Sequence, residues 1–271
     1  MEKRLDVFLV DAYGIKSRSK AQALIRNGCV TCNGKVITKT GFLVSETNTI
    51  KIIDETVLRY VSRGGLKLEK AIDVFQLDFN EKTILDIGSS TGGFTDCSIQ
   101  HGAKKVIAVD VGTNIMDYKL SMDERVELHE ETDIRTFPQD RFLEIDFIVC
   151  DVSFISITTI ISSIKNFIGN YDMVLLIKPQ FECGADIARK YKGVISNCNI
   201  HKQILNSTIS KLEKMGFYLS KLTYSPICGG DGNIEYITLF KREHPIETIK
   251  MRDIDGVVNE AFKNLKNGTI K

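Results

Sequence analysis

Two lysines and two acids stand where they could act together on a hydroxyl group. Asp151 and Lys178 each follow directly on an apolar run, at the predicted end of a strand. A lysine that leaves a buried strand loses hydration unless a carboxylate pairs with it, so Asp151 is the expected partner of Lys178. Glu235, in GNIEY, is a second candidate partner, and Lys67 lies in the glycine-rich segment SRGGLKL. A lysine held in this way can orient a hydroxyl group or accept its proton. The alternative is an ion pair with a structural role only.

A glycine-rich turn organises the middle of the chain. Residues 84–96 read ILDIGSSTGGFTD, an apolar run followed by a turn and a helix-like segment, and glycine permits both sharp turns and close ligand approach. No lysine follows Gly93, which excludes the triphosphate-binding loop, and the spacing is not GxGxxG. Asp110 ends the next apolar run, where a carboxylate can accept both ribose hydroxyls. The pattern predicts an adenosine ligand without a pyrophosphate, and the alternative is a structural turn in another α/β domain.

This turn resembles the S-adenosylmethionine motif of class I methyltransferases, and the resemblance implies S-adenosylmethionine as the cofactor. Asp133 and Ile134 follow the third predicted strand, where an adenine-contacting residue would lie, although Asp133 is equally well explained as a turn acid. The predicted cofactor ligands are Asp86, Gly88, Ser89, Ser90, Gly92, Gly93, Phe94, Thr95, Asp110, Asp133, Ile134 and Asp151.

Strands and helices alternate after this turn, which predicts a mostly parallel sheet with helices on both faces. In such a sheet, ligands bind at the carboxyl ends of the strands. The further strands are predicted at 105–109, 126–129, 145–150, 173–177, 218–224 and 236–241, and the helices at 94–101, 156–167, 199–215 and 253–265.

Positive charge is concentrated at the N-terminus. The first 45 residues hold eight lysines and arginines against three acids, whereas the whole chain has a formal charge of +1. Such a distribution suits a domain that touches phosphates. The pattern predicts a helix at 4–10, a second helix from Ser17 or Ser19 to Gly28, and then short strands.

This order, with RLDVFLV followed by SRSKAQALIRNGCVTCNGKV, resembles the S4-type RNA-binding domain. The resemblance implies contacts to the RNA backbone, which give affinity with little reading of sequence. For any single residue a solvated surface charge is an equally good explanation. The predicted RNA-binding residues are Arg4, Arg18, Lys20, Arg26, Lys35 and Arg63.

Lys67, Asp151, Lys178 and Glu235 resemble the Lys-Asp-Lys-Glu tetrad of FtsJ-like ribose 2′-O-methyltransferases, and the segments around them are similar to those of the hemolysin A (TlyA) family. Lys67, an exposed lysine by its local pattern, would complete the tetrad or hold a phosphate. The resemblance implies an α/β class I methyltransferase domain, a Rossmann-like doubly wound sheet whose last strand is antiparallel, and a small N-terminal α+β RNA-binding domain. The implied divisions are 1–58 for the RNA-binding domain, 59–65 for a linker and 66–271 for the methyltransferase domain.

The same resemblance implies methylation of a cytidine 2′-hydroxyl in 23S ribosomal RNA, with 16S RNA left open, and ribosomal RNA or ribosomal subunits as partners. Two alternatives are a hemolysin-like protein that acts on membranes and a non-catalytic rRNA-binding factor. Against the first, no apolar run approaches the roughly 20 residues that a membrane-spanning helix needs, and no signal peptide is recognisable.

The seven cysteines are odd in number and scattered, which is typical of reduced thiols, so we expect a cytoplasmic protein. Cys29 and Cys32 have CxxC spacing, but no second pair stands in a suitable context, so we expect no metal site. The sequence predicts nothing about the oligomeric state.

Overall fold

The computed structural model describes residues 2–26, 28–55, 58–244 and 249–265. The chain forms two compact units, Met1–Arg63 and Gly64–Lys271. Their boundary falls inside the segment 59–65 that the sequence predicts as a linker, and the finer division into 1–58 and 66–271 stays a prediction.

The first unit contains two helices and short antiparallel strands. Strand β1 pairs with β4, and β2 pairs with both β3 and β5. Helix α1 ends at Gly14, which is in the left-handed conformation, and the Ser17 hydroxyl accepts the Lys20 amide at the start of α2. The elements are β1 (Lys3–Arg4), α1 (Leu5–Tyr13), α2 (Arg18–Arg26), β2 (Val30–Cys32), β3 (Lys35–Val36), β4 (Leu43–Val44) and β5 (Ile50–Ile52).

The second unit alternates strands and helices. Its elements are α3 (Gly64–Phe75), β6 (Thr83–Ile87), α4 (Gly93–Gln100), β7 (Lys105–Val109), α5 (Tyr118–Ser121), β8 (Val126–His129), β9 (Phe147–Cys150), α6 (Ile157–Ile164), β10 (Asp172–Ile177), α7 (Pro179–Glu182), α8 (Gly184–Tyr191), α9 (Cys198–Glu213), β11 (Tyr218–Tyr224), β12 (Tyr236–Lys241) and α10 (Met251–Leu265). Two short 3-10 helices, Ile134–Thr136 and Gln139–Glu144, lie between β8 and β9.

These strands form one seven-stranded sheet in the order β11-β12-β10-β9-β6-β7-β8. Only β12, the last strand along the chain among the described residues, runs antiparallel to its two neighbours. Helices α3 and α4 pack together on one face, while α6, α9 and α10 share a core with the opposite face. The predicted fold class, a doubly wound α/β sheet with its last strand antiparallel, is confirmed.

The topology places the carboxyl ends of four strands beside one another. From β6 the chain builds outward through β7 and β8, then crosses to β9 and β10 on the other side. The reversal creates a crevice between β6 and β9, where ligands bind in sheets of this kind. Gly88, Asp110, Asp151 and Lys178 each follow one of the strands that meet there.

The predictions from sequence differ from the structure mainly in short elements. The strand predicted at 145–150 begins at Phe147, and the helix predicted at 156–167 ends at Ile164. Strands of two residues and helices of four are too short for a hydrophobic period to be visible, so β1, β4, α5 and α7 were missed. Helix α8 was also missed, because it buries no residue and therefore has no apolar stripe in contact with a core.

Substitution of Gly88 by alanine should lower stability and disturb the site. Gly88 has φ of +79°, and an added Cβ would lie 3.0 Å from the Val152 side chain and 3.2 Å from the Asp151 carbonyl oxygen. We expect the Gly88→Ala variant to lose about 1–3 kcal/mol of unfolding free energy, measured by denaturant titration. The matched control is Gly230→Ala, where no atom lies within 4 Å of the added Cβ. Equal stabilities of the two variants would contradict this account.

Candidate active site

The four predicted catalytic side chains form one continuous chain of ion pairs. Lys178 Nζ lies 2.6 Å from Asp151 Oδ1, Lys67 Nζ lies 3.0 Å from Asp151 Oδ2, and Lys67 Nζ lies 2.6 Å from Glu235 Oε2. Asp151 and Lys178 follow β9 and β10, Glu235 directly precedes β12, and Lys67 lies in the first turn of α3. The structure therefore brings together residues that are far apart along the sequence.

Lys67 is buried, with 8% of its surface exposed. The prediction from the local pattern that Lys67 is exposed is therefore wrong. Helix α3 packs against the sheet, and Lys67 contacts the two carboxylates. Its contacts with Asp151 and Glu235 favour a place in the tetrad over contact with a phosphate, and its role stays a prediction. Glu235 pairs with Lys67, whereas the sequence left it as a candidate partner of Lys178.

Electrostatics keep the centre of this chain charged. Burial acts to lower the pKa of Lys67, but the nearby Asp151 and Glu235 carboxylates outweigh it, and the pKa is raised. Burial likewise acts to raise the pKa of Asp151, but Lys67 and Lys178 outweigh it, and the pKa is lowered. Two positive and two negative charges thus satisfy one another in a region that excludes most water.

Lys178 makes a second contact that the sequence did not indicate. Its Nζ donates a hydrogen bond of 2.9 Å to Ser153 Oγ. An ammonium group has three donors, and Asp151 and Ser153 use two of them. Lys178 is itself buried, with 6% of its surface exposed, but Ser153 is exposed, so a surface side chain contacts this end of the ion-pair chain.

The glycine turn contains two buried oxygens that lack partners among the described residues. The carboxylate of Asp86, which is fully buried, accepts a hydrogen bond of 2.6 Å from Thr95 Oγ1 through Oδ2, but its Oδ1 has no hydrogen-bond donor there. Ser89 Oγ is also buried and also has no hydrogen-bond partner among the described residues. Burial raises the pKa of Asp86 to about 7, and the nearby Asp151 and Asp110 also contribute. A group with donors, and especially a cation, would satisfy these oxygens.

Asp110 ties the glycine turn to the next strand. Its Oδ2 accepts the Ser90 amide at 2.8 Å, and its Oδ1 accepts the Gly112 amide at 2.7 Å. Nearby, the backbone amides of Asn114 and Ile115 donate to Glu130 at 2.6 and 2.8 Å, which orders the loop after β7. Glu130 was not identified from the sequence, because nothing in its neighbourhood marks an acid that bonds a distant loop.

A cavity of about 520 Å³ runs along these strand ends. It extends from the glycine turn to Ser153, the residue to which Lys178 donates a hydrogen bond. The predicted site residues that line it are Gly88, Ser90, Asp110, Asp133, Ile134 and Asp151, and its other lining residues include Ser153, Phe154 and Ile155. Asp133 also caps the 3-10 helix that starts at Ile134 and pairs with Arg135, the local role expected of a turn acid. The other predicted cofactor ligands are buried and do not line this cavity: Asp86, Ser89, Gly92, Gly93, Phe94 and Thr95.

An exposed aromatic pair stands beside the lysine end of the cavity. Phe154 is 92% exposed, and its ring lies 5.2 Å from that of Phe181. Lys178 Nζ lies 5.9 Å from the Phe181 ring. Phe154 has φ of +65°, a conformation that side chains rarely adopt and that often marks functional sites. Its position within CDVSF gives no such signal in the sequence.

The predicted RNA-binding residues occupy the first unit. Arg26 and Lys35 are exposed, and Lys20 and Arg63 are half-buried. About half of the Arg4 side chain and of the Arg18 side chain is exposed, and both pair with Asp6. The local sequence pattern does not mark Asp6 as the partner of these arginines. Contact of any of these residues with RNA stays a prediction.

Two protein-family models together match most of the chain. The model of the FtsJ-like methyltransferase matches residues 60–242, and the S4 domain matches residues 3–50. The chain belongs to the FtsJ-like methyltransferase family. Its catalytic unit carries the buried ion-pair chain, and the S4 domain lies in the first unit.

Relatives of this FtsJ-like methyltransferase resemble it over nearly their whole lengths. Hemolysin A of Brachyspira hyodysenteriae is 43% identical and covers 88% of this chain and 99% of its own. The 23S rRNA (cytidine-2′-O)-methyltransferase TlyA of Campylobacter jejuni is 36% identical, covering 86% and 97%. The 16S/23S rRNA (cytidine-2′-O)-methyltransferase TlyA of Mycobacterium tuberculosis is 30% identical, covering 96% and 97%.

A solved structure supports the same relationship. A protein of Streptococcus thermophilus described as a hemolysin superposes with a TM-score of 0.77 at 36% identity, covering 100% of this chain and 99% of its own. In the described part of the methyltransferase, every helix is too short or too polar to cross a membrane. Within the same residues, no three His, Cys, Asp or Glu side chains converge as metal ligands would.

Removal of Lys67 should destabilise the methyltransferase strongly. The Lys67→Met variant leaves Asp151 and Glu235 buried with one cation fewer, and breaking a buried pair costs about 3–5 kcal/mol. The Lys67→Met/Glu235→Gln double variant should recover part of this loss, because it also removes a carboxylate. Denaturant titration of both variants measures the coupling.

The control for this cycle is Lys241→Met. Lys241 pairs with Asp172 at 2.8 Å, but their side chains are 39% and 29% exposed, so the loss should be about 1 kcal/mol or less. Similar costs for Lys67→Met and Lys241→Met would refute a buried, mutually dependent ion-pair chain.

Proposed function

We propose that this FtsJ-like methyltransferase transfers the methyl group of S-adenosylmethionine to the 2′-hydroxyl of a cytidine in ribosomal RNA. The observation that carries the proposal is the Lys67–Asp151–Lys178–Glu235 ion-pair chain, whose member Asp151 also lines the cavity at the strand ends. The C. jejuni and M. tuberculosis relatives are named for this reaction.

The chemistry of the glycine turn and of the adjacent cavity fits S-adenosylmethionine. The two oxygens without donors, Asp86 Oδ1 and Ser89 Oγ, suit the ammonium group of the cofactor's amino acid part, because a cation with N–H donors would satisfy both. Asp110, at the end of β7, is the residue to hold the ribose, and the segment at Asp133 and Ile134 is the one to enclose the adenine. S-adenosylmethionine supplies the methyl group as part of a sulfonium.

The protein's own groups prepare the acceptor. A ribose hydroxyl is a weak nucleophile at neutral pH, so it must be oriented and its developing negative charge stabilised. Lys178 has one donor left after its contacts with Asp151 and Ser153. In the proposed reaction that donor holds the 2′-oxygen, which loses its proton to water as its bond to the methyl carbon forms and the carbon–sulfur bond of the sulfonium breaks. Asp151 fixes the direction of Lys178, and Lys67 with Glu235 fixes Asp151. Lys178 therefore acts on the substrate, while Lys67 and Glu235 act through their effect on Asp151 and Lys178.

An RNA substrate suits the surfaces around the site. The exposed Phe154 ring, paired with Phe181, can stack on a base whose ribose lies at Lys178, and base-aromatic stacking of this kind is common in single-stranded RNA recognition. The S4 domain adds a basic surface that contacts phosphates. A non-catalytic rRNA-binding role is less favoured, because nothing in mere binding requires four buried, mutually paired charges.

Replacement of Lys178 should abolish methyl transfer without abolishing cofactor binding. The Lys178→Met variant keeps most of the side-chain volume but loses the donor to the 2′-oxygen, so we expect kcat to fall by about 10²-fold or more. Binding of S-adenosylmethionine, measured by calorimetry, should stay within a few fold. The control is Lys214→Met, an exposed lysine that follows α9.

The assay is the transfer of a labelled methyl group to ribosomal RNA, followed by mass mapping of the nucleosides. It identifies the subunit, the nucleotide and the methylated atom together. Unchanged turnover in Lys178→Met would contradict the role of Lys178, and methylation on a base would contradict the ribose as acceptor.

Cofactor binding should be coupled to proton release at Asp86. Because the pKa of Asp86 is raised to about 7 in the free protein, the carboxyl is protonated below that pH and must ionise to pair with a cation. Affinity for S-adenosylmethionine should therefore rise as the pH is raised toward 7 and level off above it. Calorimetry at pH 6 in buffers of different ionisation enthalpy should detect release of a proton.

The Asp86→Asn variant tests the assignment, because an amide of the same shape cannot ionise. It should bind S-adenosylmethionine more weakly, and its affinity should not change over the same pH range. Proton release that persists in this variant would show that another group is responsible.

A further inference from the structure

The first unit contains a fully buried carboxylate that holds two surface arginines. Asp6 has no exposed surface. Arg4 donates to it twice, from Nε to Oδ1 and from NH2 to Oδ2, both at 3.0 Å. Arg18 donates from Nε to Oδ2 at 2.9 Å. The groups that bind the carboxylate also cover it, so its lack of exposed surface depends on Arg4 and Arg18 staying in place.

The two guanidinium groups are consequently close together and still exposed. Both have a nitrogen within 3.0 Å of the same oxygen of Asp6, while 46% of the Arg4 side chain and 55% of the Arg18 side chain face solvent. One negative charge lies beneath two positive charges, so the surface of the cluster is net positive. The pKa of Asp6 is lowered, chiefly by its hydrogen bonds with Arg4, so the carboxylate is ionised at neutral pH.

Other groups fix the same arrangement. Gln22 Nε2 donates to Asp6 Oδ2 at 2.7 Å, and Arg26, one turn further along α2, makes a long hydrogen bond of 3.4 Å to Gln22 Oε1. The Arg4 guanidinium also lies against Gly41, where an added Cβ would be 3.0 Å from NH1. A side chain at position 41 would therefore displace the Arg4 guanidinium from this position.

We propose that Asp6 is a positioning residue that holds Arg4 and Arg18 as one preformed site for a phosphate group of RNA. The proposal rests on the proposed function, since it takes RNA as the partner of this unit. Guanidinium groups bind phosphate through pairs of N–H donors, and both arginines keep donors that Asp6 does not use. Fixing the two side chains beforehand removes the entropy cost of ordering them when RNA binds.

The test is the change in RNA affinity on replacing Asp6, because general electrostatics and positioning of the arginines predict changes in opposite directions. Removing an acid from a surface that binds RNA should strengthen binding by general electrostatics. If Asp6 positions the arginines, Asp6→Asn should instead weaken binding of a transcribed 23S rRNA fragment by about fivefold to a hundredfold, because two side chains must then be ordered. The plot of log affinity against log salt concentration should become less steep, with the magnitude of its slope smaller by about 1. The apparent KM for RNA should rise while kcat at saturating RNA is unchanged.

The matched control is Asp11→Asn in the full chain. Asp11 pairs with Lys3 at 3.0 Å, but the two side chains are 49% and 51% exposed, so this substitution removes the same charge without freeing a buried site. Its affinity should be unchanged or slightly higher. An Asp6→Asn variant that binds RNA as tightly as Asp11→Asn would overturn the proposal.

A second variant covers the case in which Asp6→Asn does not fold, as judged by circular dichroism. Gly41→Ala leaves Asp6 intact but pushes against the flexible end of Arg4, so it should fold normally and bind RNA at least about twofold more weakly. Unchanged affinity in Gly41→Ala would then overturn the proposal. If the wild-type chain itself binds the RNA without salt dependence, the proposed function fails as well, which separates the two failures.

Discussion

Burial of opposite charges in one place is the constraint on which the catalytic unit depends. Lys67, Asp151, Lys178 and Glu235 could not be enclosed singly, because each would lose its hydration without compensation. Enclosed together, they satisfy one another, and Lys178 also bonds to Ser153, an exposed residue. The ion-pair chain is thus both a structural requirement of the fold and the means by which one lysine is held in a defined direction.

The sheet makes this arrangement possible because its topology gathers distant residues. Reversal of strand order at β6 and β9 brings the ends of four strands to one crevice, and the antiparallel β12 delivers Glu235 from the opposite direction. A parallel final strand would place its first residue at the other edge of the sheet. The glycine turn that follows β6, with its two unsatisfied oxygens, begins at the same end of the sheet.

The first unit uses the same physical device on a smaller scale. A buried carboxylate, Asp6, holds exposed arginines, just as Asp151 holds Lys178. In both places an acid with little or no exposed surface holds a cation in a defined position, although the two arginines are half exposed and Lys178 is buried. The acid therefore matters as much as the cation that it holds, although only the cation is recognisable in the sequence as a group that could bind RNA.

The sequence alone determined the alternation of strands and helices, the glycine turn, and the polar residues at strand ends, because these follow from local periodicity and from residue type. It also supplied all four members of the tetrad, through their resemblance to a known pattern. Tertiary structure alone decided that Lys67 is buried, that Glu235 pairs with it, that Asp6 organises two arginines, and that Phe154 stands exposed beside Lys178. These facts depend on contacts such as the one between Lys67 and Asp151, 84 residues apart, and no local pattern encodes such a distance.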